Sequence, residues 1–197
     1  MNRGFKSLVV LVALLGLAAP GYAGVVAYTA DLSGPNESPP NASPGTGTAW
    51  VGIDVVAHTL DVQFNFTGLL GTTTAAHIHS ATAIPGSGTA GVATQTPFFI
   101  GFPTGVTSGS YAHVFDTSLA STFSAAFITA NGGTVEGAEA ALAAGMAEGR
   151  AYLNIHSSVV PAGEIRGFLQ PVPEPATISL LAIGGLGLLI SSRRRRR

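Results

Sequence analysis

Residues 59–66 read TLDVQFNF, in which Leu60, Val62, Phe64 and Phe66 alternate with Asp61, Gln63 and Asn65. Successive side chains of a strand project to opposite faces, so this period of two predicts a strand with one buried and one wet face. Further strands are predicted over 25–31, 48–55, 75–79, 110–115, 150–156 and 164–170, separated by turn-forming residues. A helical period occurs once, in TVEGAEAALAAGMAEG at 134–149, where Ala138, Leu142 and Met146 should pack on the sheet. Glu136 and Glu139 fall in its first turn, where negative charge suits the helix dipole, and Gly145 or Gly149 can end it. The stretch NESPPNASPGTG is rich in proline, glycine and asparagine and predicts a long loop. VVAHT predicts a hairpin turn with His58 as a solvated tip, and His113, in YAHVF, is read as a solvent-face strand residue. The body of the chain is therefore mainly β, with one short helix.

Two apolar runs at the ends follow neither period. At the N-terminus Arg3 and Lys6 precede an apolar run from Leu8 to Ala19, then GYA and Gly24. That is the order of a secretory signal peptide, residues 1–23, with cleavage expected after Ala23. At the C-terminus the stretch from Ala176 to Ser192 is uncharged and 17 residues long. At about 1.5 Å per residue, a transmembrane helix of that length just crosses a hydrocarbon core about 30 Å thick. Arg193 to Arg197 would stay on the cytoplasmic side. The intervening 24–171 segment, 148 residues, is long enough for one buried core and would lie outside the cytoplasm.

Charge changes the picture once the ends are set aside. Residues 24–171 hold nine carboxylates against two arginines, Arg150 and Arg166, a formal charge of −7 that the whole-chain value of −1 conceals. An acidic domain is a poor match to a phosphate backbone, which argues against nucleic acid as partner. The absence of cysteine excludes disulfides and thiol catalysis.

Candidate chemistry gathers in two strands. In TAAHIHS, His77 and His79 lie two apart and share a face; in GRAYLNIHS, Arg150, Tyr152, Asn154 and His156 share another. If the strands are neighbours, three imidazoles and an amide converge. Two readings follow. His77, His79 and His156 form a three-ligand site for zinc or copper, with Glu164 or Asp116 adding an oxygen or holding an imidazole by its second nitrogen. Alternatively, they pin strands together by hydrogen bonds to backbone and to Asn154. In PAGEIRGFL, Glu164 and Arg166 lie two apart and are read as an ion pair or, since arginine offers a fork of donors, as a site for a polar ligand.

Three segments, LSGPNESPP at 32–40, AAHIHSATAIPGSG at 75–88 and GRAYLNIHSSVVPAGEIRGFL at 149–169, resemble the CHRD domain, named from the repeats of chordin. The resemblance implies an extracellular, immunoglobulin-like antiparallel β-sandwich or barrel spanning 24–171. Ala162 stands where the family often has glycine, and Ser157 where threonine is common. The final segment, 172–197, resembles the PEP-CTERM sorting signal of Gram-negative bacteria. Pro173, Glu174 and Pro175 stand where that family has its recognition tripeptide, ahead of the apolar helix and the arginine tail. This implies exosortase, a membrane-embedded transpeptidase, as processing partner. It also implies a membrane-anchored precursor, and a destination in the periplasm, at the outer surface or in the extracellular matrix.

No Gly-x-Ser-x-Gly elbow and no glycine-rich phosphate loop is present. The leading expectation is a non-enzymatic exported module that binds an extracellular polymer, a protein partner or an ion through its histidines. The alternative is a copper- or zinc-dependent redox enzyme on a scaffold like that of superoxide dismutase.

Overall fold

The computed structural model describes residues 24–173. The strands are β1 Val26–Ser33, β2 Thr46–Asp54, β3 Thr59–Thr67, β4 Thr73–His79, β5 Gly109–Asp116, β6 Tyr152–Ser157, β7 Ile165–Phe168 and β8 Gln170–Pro171. The helices are α1 Ala125–Ala130 and α2 Val135–Ala147. Each strand expected from the alternating pattern is present. All pairs are antiparallel, and seven strands run in the order β4, β6, β7, β1, β2, β3, β5, with β8 beside β1.

Among the described residues this is one sheet rather than the two of a sandwich. It curls toward closure. The first residue of β4 meets the segment entering β5, with Thr73 N–H donating to Val106 O and Gly105 N–H to Thr73 O, both at 2.8 Å. The result is a half-barrel. Along β3, Leu60, Val62, Phe64 and Phe66 are buried, joined by Tyr28 and Leu32 of β1, Val51 and Ile53 of β2, and Ile78, Leu153, Ile155 and Ile165 of the other half. Phe99 and Phe102, from the segment between β4 and β5, pack against Phe64.

The α2 helix starts where expected. Thr134 caps it by accepting from Gly137 N, and Ala138, Leu142 and Met146 are fully buried. It runs through Gly145, which does not end it: a Cβ there would collide with Ser80 Oγ, so glycine allows the helix close to the chain after β4. Gly149, with φ of 65°, follows the helix. Helix α1, capped by Ser124, was not expected, because six residues carry too little periodicity.

His58 sits at the β2–β3 tip as expected but is not merely solvated. Its Nδ1 lies 2.9 Å from Oε2 of the buried Glu139, which also accepts from Thr117 Oγ1, so the hairpin is tied to α2. His113 is exposed, yet its ring packs edge-on against Phe115 at 4.5 Å, its neighbour on the same side of β5. No helix among the described residues is long and apolar enough to cross a membrane. The expected signal peptide, the C-terminal helix, Glu174 and Pro175 lie outside the described residues.

Candidate metal centre

β4 and β6 are neighbours, and their register fixes what faces what: Ala75 opposite His156, His77 opposite Asn154, His79 opposite Tyr152. β7 continues two of these rows, placing Arg166 beside Asn154 and Phe168 beside Tyr152. The period of two therefore brings all three predicted imidazoles to one face. Ring centroids lie 5.8 Å apart for His77 and His79, 5.4 Å for His77 and His156, and 5.9 Å for His79 and His156. One nitrogen from each ring lies within 4.8 Å of the other two.

Each imidazole is held from behind by a backbone carbonyl. His77 Nε2 contacts Pro97 O at 2.7 Å, His79 Nδ1 contacts Ala90 O at 2.9 Å, and His156 Nδ1 contacts Pro161 O at 2.9 Å. A carbonyl only accepts, so the nitrogen facing it carries the proton, and the opposite nitrogen of the neutral ring carries a bare lone pair. Those opposite atoms, His77 Nδ1, His79 Nε2 and His156 Nε2, are all buried and have no hydrogen-bond partner. Burial pushes the His77 and His79 pKa down to about 4, against the raising effect of the Pro97 and Ala90 carbonyls, and it lowers that of His156 too. At neutral pH the three rings are uncharged, the form that binds metal.

Three buried acceptors aimed at one another are costly unless something meets them. A water molecule has two protons for three lone pairs, whereas one cation satisfies all three. Zinc or copper accepts three imidazoles and leaves a coordination position open, and a carbonyl behind each ring is the usual orienting partner of a metal-bound histidine. The residues fit such an ion.

The expected oxygen ligands go elsewhere. Asp116 ends β5, where its Oδ1 accepts from Ser118. Glu164 is fully buried and forms no ion pair with Arg166. Its Oε1 accepts from Ser43 Oγ at 2.6 Å and from Leu70 N, and its Oε2 from Gly71 N at 3.2 Å. Burial alone would raise its pKa, but these bonds and the Ser157 hydroxyl hold it below the ordinary glutamate value. The pairing expectation failed because Glu164 sits at a turn, directly after Gly163 with φ of 135°, rather than within β7.

Arg166 is paired instead with Glu37, at 3.8 Å, and donates to Asn36 O and Gly88 O. Its guanidinium lies 4.7 Å from the Tyr152 ring centre, and His79 stacks on the same ring at 4.8 Å. Glu37 was missed in the sequence. Its only signal was to be the lone acid of a proline-rich loop. Burial pushes its pKa up to about 7, with Arg166 opposing. Its Oε1 and the Oδ1 of Asn154 are buried without partners, and the histidines do not bond to Asn154. Both groups crowd Gly163, where a Cβ would stand 2.7 Å from Asn154 Oδ1 and 2.9 Å from Glu37 Oε1.

The fold and this constellation define a class: a cysteine-free β half-barrel with three converging imidazoles on adjacent strands, on the face opposite Ile78, Leu153 and Ile155. The CHRD domain family model matches residues 28–169, and the chain belongs to that family. A second model, the PEP-CTERM protein-sorting motif, matches residues 171–197 and marks the chain for exosortase-dependent export to the cell surface. No curated protein and no solved structure matched it.

Proposed function

We propose that the protein is a non-catalytic CHRD module of the bacterial envelope or extracellular matrix that holds one zinc or copper ion through His77, His79 and His156. The observation that carries this reading is the convergence of three buried, unpartnered ring nitrogens, each backed by a carbonyl. Asn154 and Arg166 flank the site, and Glu164 fastens the surrounding loops. The apolar C-terminal stretch anchors the precursor in the membrane until exosortase acts at Pro173, Glu174 and Pro175.

The test is metal content by mass spectrometry of the full chain, recovered from the envelope without a histidine tag, beside a His77→Ala, His79→Ala, His156→Ala variant. Near-stoichiometric zinc or copper that disappears in the variant is expected. A folded wild type that stays metal-free after loading with either ion would leave the histidines as strand pins. Superoxide turnover by the copper-loaded protein would move the reading to the redox enzyme.

A further inference from the structure

The outer face of β1, β2, β3 and β5 carries an arrangement independent of the histidines. Register sets its side chains in rows: Ala27, Gly52, Asp61 and Val114; Thr29, Trp50, Gln63 and Ala112; Asp31, Thr48, Asn65 and Ser110. Trp50, the only tryptophan in the chain, stands in the middle row on a central strand. A Cβ on Gly52 would lie 2.6 Å from Cη2 and 3.1 Å from Cζ3 of its indole, so the ring leans along the strand into the space that glycine leaves. The indole is half-buried, supported by the sheet on one side and open to solvent on the other.

Planar polar groups stand beside it. Gln63 Nε2 donates to both oxygens of the Asp61 carboxylate at 3.1 and 3.2 Å, and Asn65 Nδ2 donates to Thr48 Oγ1 at 2.7 Å. Gln63, Asn65 and Thr48 border, with Trp50, an open recess of about 550 Å³ over the middle of the sheet, and Asp61 stands just outside it, held to Gln63. None of the four strands carries a lysine or arginine.

We propose that this face binds an uncharged polysaccharide, with one sugar ring stacked on Trp50 and its hydroxyls engaged by Asp61, Gln63 and Asn65. The C–H face of a sugar ring carries slight positive charge and is attracted to the negative face of an indole, as the edge of one aromatic ring is to the face of another. Hydroxyls both donate and accept, which suits a row of carboxylate and amide groups. Asp31 and Asp61, on strands without lysine or arginine and with the nearby Arg166 taken up by Glu37, repel uronic, sulfated or phosphorylated polymers, so charge selects for a neutral chain. The shallow, open form of the recess admits the middle of a polymer rather than enclosing a small molecule.

A lone tryptophan makes the test direct, because its emission reports this face alone. The full chain would be titrated with galactomannan, mixed-linkage β-glucan and dextran, with alginate as the anionic comparison, while following tryptophan emission and retardation in native gels containing each polymer. At least one neutral polymer is expected to shift the emission saturably and retard the protein, and alginate to do neither. Trp50→Ala should weaken retardation by about tenfold or more, the loss of roughly one stacking contact. The triple histidine variant should bind as wild type does, which separates this site from the metal centre. No response to any neutral polymer, a response to alginate alone, or equal retardation of a folded Trp50→Ala variant would overturn the proposal. The wild-type emission titration decides the matter even if that variant fails to fold.

Discussion

Two polar clusters are buried close to each other, one at the turn that leads into β7 and one across β4 and β6, and they follow opposite rules. Around Glu164 the donors and acceptors match: the hydroxyls of Ser43 and Ser157 and the amides of Leu70 and Gly71 surround one carboxylate. Around His156 they do not, since three lone pairs meet and no protein donor faces them. A matched cluster spends its bonding capacity on the fold and has none left for a ligand. An unmatched one keeps its capacity in reserve, at a cost to the empty protein. The difference separates a fastener from a candidate binding site without reference to any relative.

The sharpest way to break this comparison is at Glu164. Glu164→Ala leaves four donors without their acceptor, all but the Leu70 amide buried, and releases the loops at 43 and 70, so a loss of about 3–5 kcal/mol is expected in urea unfolding. The loss should be equal with and without chelator. A dependence on metal would mean that the two clusters are one unit.

The histidine cluster should behave in the reverse sense. Zinc added to chelator-stripped protein at about a thousandfold excess over its dissociation constant should raise stability by roughly 4 kcal/mol. His77→Ala should abolish that gain, yet change the stripped protein by no more than about 1 kcal/mol, because it removes a group that had no partner on one side. If the variant costs the stripped protein as much as the loaded one, the histidines are pins.

The smallest expected effect concerns pH. His77 and His79 have folded pKa values of about 4, below the ordinary 6.5, so the stability they contribute is present above 6.5 and is lost as pH falls through 4. Glu37 acts oppositely: its folded pKa of about 7 exceeds the ordinary 4.5, so its contribution is present below 4.5 and is lost as pH rises through 7. Unfolding of Glu37→Gln across this range should show a stability advantage over wild type that grows by about 2 kcal/mol from pH 4.5 to 7.5. A constant difference would show that Glu37 titrates normally.

What the sequence disclosed follows from what periodicity can carry. Alternation in TLDVQFNF and TAAHIHS identified the strands and set His77 and His79 on one face, and the same rule aligned Asn154 with His156. The carbonyls of Ala90, Pro97 and Pro161 were not legible. Every residue has a carbonyl, and these three come from irregular segments whose path depends on the finished core. Glu37 escaped for the same reason: its burial depends on the loop folding back over β7, where Asn41 Nδ2 donates to the Glu164 carbonyl at 3.1 Å. The presumed Glu164–Arg166 pair shows the rule's limit, since alternation holds within a regular strand and lapses at a turn.

β4 and β6 touch, but about half of the domain lies between them along the chain. A cation bridging His79 and His156 would therefore act as a cross-link, closing a loop of about 80 residues, for which chain-entropy arguments predict a restriction of the unfolded ensemble worth roughly 4–5 kcal/mol. In a chain without cysteine, the ion would take the place of a disulfide, and it would do so through a bond that a chelator or a drop in pH undoes, with no reductant required.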